Sequence, residues 1–328
     1  MESGLAEAIV LREHGGPERL RLETVEVGEP GPGQVRLRQT AVGVNFHDCY
    51  VRSGLYRTLP LPGIPGLEAA GVVEAIGPDV PDLRPGDRVA YFTARYGAYA
   101  SERLIEADLL APLPDAIDDR RAAAIMVKGL TAQLLVHRVH RIGPGDTVLV
   151  HAAAGGVGIL LCQWARHLGA TVIGTVGSEE KAEVARRFGC NHTILYREED
   201  FVARVREITG GRGVDVAYDS VGRDTFEGSL DCLARLGHLV NFGQSSGPVE
   251  PFAVARLSKG SFSLTRPMLF HYVRDPRELR QMSDQLFEAI GTGVLTVREP
   301  RALPLTEAEE AHRLLEARAT SGSVVLLP

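Results

Sequence analysis

The chain has 328 residues, 44% hydrophobic and 24% charged, a composition that suits a globular protein of two domains and excludes a disordered or fibrous one. Net charge is −6, so no broad basic surface advertises nucleic acid as the main partner, and no apolar run reaches the ~18 residues of a membrane span. Met1 to Gly4 carries neither part of a signal peptide, and Cys49, Cys162, Cys190 and Cys232 are too scattered for a disulfide framework or a zinc knuckle. The expectation is a cytoplasmic protein with reduced thiols.

In chain order, residues 1 to about 125 read as β-rich. Leu20 to Val27 and Val35 to Val44 alternate apolar and polar residues around the turn cluster Gly28 to Gly33. Val72-Val73 and Val89 to Phe92 flank the turn Pro85-Gly86-Asp87, which predicts a partly closed barrel of short strands. Asp118 to His140 is proline-free and rich in Ala, Leu and Arg, and predicts one long helix.

From Thr147 the rhythm becomes strand, glycine, helix. Strands are predicted at Thr147–His151, Thr171–Val176, His192–Leu195, Val214–Tyr218 and His238–Phe242. Helices are predicted at Val157–Leu168, Glu180–Phe188, Phe201–Thr209 and Thr225–Leu233, with Gly169 and Gly189 as helix stops. Such alternation implies a parallel sheet with helices on both faces. The tail from about Asp275 holds two more helices and a closing strand, Ser323 to Leu327, placed to pair back with the first domain.

The strongest chemical signal is Ala152-Ala153-Ala154-Gly155-Gly156-Val157-Gly158, between a predicted strand and a predicted helix. Glycines there let the backbone approach a pyrophosphate, and the helix N-terminus supplies unpaired N–H groups. The first glycine of the usual G-x-G-x-x-G is Ala153. The second strand runs into Val176-Gly177-Ser178-Glu179-Glu180-Lys181, with Val176 where an NAD site carries its acidic residue. Gly177 and Ser178 leave room for a 2′-phosphate, and Lys181 can reach one from the first helical turn; this points to NADPH. The alternative is a solvated Lys181, with Glu179 or Glu180 in the acidic role.

Several further segments carry a family resemblance: Ala41 to Phe46, Arg52 to Tyr56, Glu68 to Val73, Pro85 to Val89, Lys128 to Thr131, Tyr218 to Thr225 and Thr265-Arg266-Pro267. Together with the alanine–glycine loop, they resemble the zeta-crystallin-like NADPH:quinone oxidoreductases, a zinc-free branch of the medium-chain dehydrogenases/reductases. The resemblance spans almost the whole chain. It implies an α/β protein with a doubly wound, parallel-sheet (Rossmann) domain at 126–265. It also implies a GroES-like β-barrel domain at 1–125, completed by 266–328, with the active cleft between the two.

Zinc-dependent relatives carry ligands at positions occupied here by Asn45, Leu67 and Val127, none of which suits a catalytic zinc site. His47-Asp48-Cys49 and His137 with His140 look metal-like but lack partners, so no metal is expected. Without a Lewis acid, hydride transfer to an electron-poor acceptor such as a quinone is favoured. Asn45 can donate an N–H near the acceptor carbonyl or the nicotinamide, Tyr50 and Tyr56 can hydrogen-bond substrate or cofactor, and Arg266 can meet an acceptor oxygen. Glu68 is read as structural.

The resemblance further implies cofactor contacts at Thr131, Tyr196, Ser220, Phe242, Gly243, Ser245, the Pro267 to Leu269 stretch and Arg318, and a homodimer joined near His238–Asn241 and Ser261–Leu264. The neighbouring activity is an NADPH-dependent enoyl or alkenal reductase. An RNA-binding or structural zeta-crystallin-like role stands as the third reading.

Overall fold

The computed structural model describes residues 4–317, 320 and 322–328. Its strands are β1 (Leu5–Leu11), β2 (Leu20–Glu26), β3 (Gln34–Val44), β4 (Glu68–Ile76), β5 (Arg88–Phe92), β6 (Glu102–Glu106), β7 (Leu110–Pro112), β8 (Thr147–Val150), β9 (Thr171–Val176), β10 (His192–Leu195), β11 (Val214–Asp219), β12 (Leu233–Asn241), β13 (Ser263–Thr265), β14 (Arg301–Pro304) and β15 (Val324–Leu327). The helices are α1 (Phe46–Ser53), α2 (Asp119–Leu134), α3 (Gly156–His167), α4 (Glu179–Arg187), α5 (Phe201–Ile208), α6 (Phe226–Asp231), α7 (Leu269–Tyr272), α8 (Pro276–Gly291) and α9 (Ala308–Glu316). The chain divides into two compact units. One is Met1–Val127 with Val273–Glu288 and Val297–Pro328; the other is Lys128–Tyr272 with Ala289–Thr296.

In the first unit β3 is the organising strand. One of its edges pairs with β4; the other pairs with β6 over Gln34–Arg38 and then with β15 over Val42–Val44, so the end of the chain completes this sheet. Register shifts at Arg36/Leu37 and Gln39/Ala41 bend β3, as bulges do where a sheet curls. β1 and β2 form a separate antiparallel ribbon.

The second unit holds a six-stranded parallel sheet in the order β10-β9-β8-β11-β12-β13. Numbered by appearance this is 3-2-1-4-5-6, the doubly wound order, in which the chain reverses direction between β8 and β11 and leaves a crevice at their carboxyl ends. Leu149, Ile173, Ile194, Ala217 and Leu239 bury the sheet face against Val205 of α5 and Phe226 and Leu230 of α6. The β-branched runs that marked these strands are what such two-sided burial demands.

Three local readings are corrected. The single helix expected over Asp118–His140 ends at Leu134 and continues as a wider π turn over Leu135–Val139, where Tyr218 Oη donates to Leu135 O at 3.2 Å. A side-chain donor on that carbonyl removes the pressure to keep the tighter turn. β12 starts at Leu233, not His238, through an irregular stretch with Leu236 at φ 67°. β1, α1, β6, β7 and β14 were not read from sequence, being short or weakly periodic.

Candidate functional site

The glycine loop sits between β8 and α3 as its motif requires. Ala152 adopts φ 52°, a left-handed conformation costly for a residue with a Cβ, and Ala153 is fully buried with its N–H on Thr175 O at 3.1 Å. The turn that a first glycine would make is thus made one residue earlier. Gly155 is the N-cap of α3, and a Cβ on Gly158 would lie inside van der Waals contact with Ala152 O and the Ala153 backbone. α3 can therefore seat on β8 only with glycine at 158. Gly156 and Val157 open the helix, and their N–H groups face no earlier turn.

At the end of β9, Ser178 caps α4 and its Oγ accepts the Lys181 N–H at 3.4 Å. A Cβ on Gly177 would come to 2.9 Å from Tyr196 Oη and 3.5 Å from Arg197 Nε. The structure thus gathers Gly177, Ser178, Lys181 and Tyr196, and adds Arg197, which sequence reading missed although it directly follows the tyrosine. Glu179 is committed to an ion pair with Arg186, which weighs against its taking the acidic role. No carboxylate at Val176 competes with a phosphate.

The ends of β11 and β12 meet. Ser220 O accepts from Ser245 N at 3.2 Å, and a Cβ on Gly243 would come to 2.5 Å from that oxygen, so the two backbones approach as only glycine allows. Phe242 N and Gly243 N both donate to Asp219 O, while Asp219 Oδ1 accepts from Val221 N, Gly222 N and Thr225 Oγ1. Arg266 Nη1 donates to Asn241 O, Asn241 Oδ1 and Gly243 O at 2.7–3.1 Å, which closes the end of β12. Pro267 is buried beside it and Leu269 opens α7. Among the described residues the buried atoms Asp219 Oδ2 and Asn241 Nδ2 lack a protein partner. Orphaned polar atoms at strand ends, beside a glycine cradle, fit a dinucleotide lying across the crevice. Thr131 stands on α2 in the same unit. Arg318 lies outside the described residues.

The candidate catalytic residues of the first unit cluster around α1. Asn45 is its N-cap and is buried; its N–H donates to Asp48 Oδ2 at 2.8 Å and its Nδ2 donates to Glu68 Oε1 at 2.8 Å. Of its side-chain donors, then, one holds Glu68, which fits the structural reading of that carboxylate. Leu67 is buried and Val127 offers only its backbone N–H, to Glu68 Oε2 at 2.5 Å. Tyr50 and Tyr56 meet edge-on with ring centroids 5.2 Å apart, and His47 stands edge-on to Tyr56 at 5.3 Å. Burial pulls His47 down to about 4, so its ring is neutral at physiological pH. Beneath α1, Tyr99 Oη donates to Asp48 Oδ2 and meets His312 Nε2 at 3.0 Å. Only tertiary pairing brings Tyr96 and Tyr99 to His47 and Asp48 of α1; no spacing in the sequence announces those two tyrosines.

Residues 156–288 match the zinc-binding dehydrogenase family and residues 31–115 the alcohol dehydrogenase GroES-like domain. The chain is 50% identical to the 2-haloacrylate reductase of a Burkholderia species, over 98% of both chains. It is 47% identical to quinone oxidoreductase 1 of Escherichia coli (strain K12), over 99% of this chain and 100% of that one. The crystal structure of Escherichia coli quinone oxidoreductase complexed with NADPH superimposes with a TM-score of 0.95 at 46% identity, covering 98% of this chain and 100% of the other.

Proposed function

The chain belongs to the NADPH:quinone oxidoreductase branch of the medium-chain dehydrogenases/reductases, and on that premise we propose that it reduces a quinone by hydride transfer from NADPH without a catalytic zinc. The observation that carries the reading is the donor set Asn45, Leu67 and Val127 around Glu68: an amide, an alkyl chain and a backbone N–H offer no thiolate or imidazole to a Lewis-acid metal. Alcohol oxidation needs such a metal to hold an alkoxide; an acceptor that is already electron-poor does not.

When bound, NADPH supplies the hydride. Gly155, Gly156, Val157 and Gly158 would receive its pyrophosphate at the α3 N-terminus. Gly177, Ser178, Lys181 and Tyr196 would hold the adenosine end, and a cation there favours the 2′-phosphate. Ser220, Phe242, Gly243, Ser245, Pro267 and Leu269 would line the nicotinamide half, with Thr131, and Arg318 is a cofactor contact by resemblance alone. Asn45, Tyr50 and Tyr56 would orient the acceptor. Arg266 acts by keeping the β12 end closed.

Turnover of 1,4-benzoquinone with NADPH, compared with turnover of an enal and of 2-chloroacrylate, tests the reading. Faster reduction of the quinone is expected. A marked preference for 2-chloroacrylate would favour the alkene reductase reading, which the Burkholderia relative supports.

A cytoplasmic homodimer completes the proposal, with small molecules rather than nucleic acid as partners. No helix among the described residues is long and apolar enough to cross a membrane, and the four thiols are free and buried. β13 ends the six-stranded sheet, an edge a second copy can extend. Light scattering at the mass of one 35.4 kDa chain would refute the dimer.

A further inference from the structure

Reduction of a quinone to a hydroquinone takes one hydride and one proton, and nothing above supplies the proton. The first unit contains a line of three hydrogen-bonding groups running from solvent to the aromatic cluster at α1. Thr58 is exposed, and its Oγ1 shares a hydrogen bond with Tyr96 Oη in which either atom can donate. Tyr96 is buried, and the same Oη lies 3.0 Å from His47 Nε2. His47 stands two residues after Asn45 with its ring edge-on to Tyr56. Tyr96 holds this place at φ 56°, a left-handed conformation that is costly for a bulky residue and survives where the surroundings impose it.

We propose that Thr58, Tyr96 and His47 form a proton relay that delivers the proton completing the hydroquinone. The proposal rests on the quinone reading above. Once the acceptor has taken a hydride, its anionic oxygen takes the proton of His47 Nδ1. In the same concerted movement Nε2 takes the Tyr96 hydroxyl proton, Tyr96 Oη takes that of Thr58, and Thr58 Oγ1 takes one from a water molecule, which leaves as hydroxide. Each transfer breaks one O–H or N–H bond and forms another; no residue changes oxidation state, the three side chains end neutral, and the acceptor's negative charge leaves with the hydroxide. A neutral imidazole is the form that can pass a proton in this way, and burial keeps His47 neutral at pH 7. Burial raises the Tyr96 phenol, its bond to Thr58 pulls it down, and the charge of Asp48 adds to the rise, so the phenol is neutral as well.

The test compares wild type with Tyr96→Phe, Thr58→Val and His47→Ala on 1,4-benzoquinone at pH 7, with NADPH dissociation constants measured by fluorescence and folding followed by thermal melting. Tyr96→Phe should lower kcat at least ten-fold, the low end of what positioned proton transfer supplies, and leave NADPH affinity unchanged. Thr58→Val, at an exposed site that does not threaten the fold, should slow kcat several-fold and reduce the number of protons in flight seen in D2O mixtures. His47→Ala should recover rate in proportion to added imidazole, while wild type stays indifferent to it; a merely structural histidine would give no such dependence. An unchanged kcat in Tyr96→Phe, or no imidazole dependence in His47→Ala, overturns the relay. Wild type inert to quinones overturns the substrate reading beneath it, a separate and distinguishable failure.

Discussion

Asn45 Nδ2 lies 2.8 Å from Glu68 Oε1, and the other oxygen of that carboxylate accepts the Val127 N–H, so one buried anion fixes the residue standing where zinc-dependent relatives place a ligand. Gly43 leaves the room, since a Cβ there would collide with this carboxylate and with Ala123 O. Glu68→Ala would strand two buried donors at about 1–3 kcal/mol each, whereas Glu68→Gln keeps the shape and one acceptor. Thermal unfolding should therefore rank wild type above Glu68→Gln and both well above Glu68→Ala. Quinone turnover should fall in the same order as Asn45 loses its anchor.

Lys181 sets the cofactor preference if it meets the 2′-phosphate. Lys181→Ala should weaken NADPH binding by about 1.5–3 kcal/mol, roughly ten- to hundred-fold, and barely change NADH binding. Rising salt should weaken wild-type NADPH binding more than the variant's, because Lys181 is partly exposed and its pair with a phosphate is screened. The ratio of the two dissociation constants is the measurement, and an unchanged ratio would return the lysine to solvent.

Gly158→Ala probes the loop itself. The added Cβ meets Ala152 O and the Ala153 backbone, neither of which is a flexible side-chain end. Either α3 lifts from β8 or the strained Ala152 turn opens, at about 1–3 kcal/mol. NADPH affinity should fall by at least ten-fold, read by fluorescence titration, with a lower melting temperature.

His312 makes stability depend on acid. It is fully buried against Tyr99, and burial, then the nearby Arg52 charge, lowers it to about 3. Between pH 6.5 and about 3 the unfolded chain binds a proton there that the folded chain refuses, so this contribution is complete above pH 6.5 and lost as pH falls. The slope approaches about 1.4 kcal/mol per pH unit for one such proton. His312→Gln should flatten the stability–pH curve in that window relative to wild type, measured by urea unfolding at pH 7, 6 and 5. Parallel curves would show that the imidazole takes up its proton in the folded state.

The second unit was legible in the sequence because its signals are local. A strand buried on both faces must be a run of branched apolar residues, and a helix seated at a phosphate must begin in glycine, so β8 to β11 and the loop at Gly155–Gly158 could be read residue by residue. Ser178 as a cap and Gly169 and Gly189 as stops are equally local events. What the tertiary structure alone decided are the relations that join distant segments. Arg266 closing on Asn241 spans 25 residues, Asn45 to Glu68 spans 23, Tyr96 to His47 spans 49 and Tyr99 to His312 spans 213. Such pairs leave no period in the sequence, since each residue type there is common on its own. Their meaning comes from burial, which turns an ordinary amide, phenol or imidazole into a group that must find a partner, and only the fold says which partner that is.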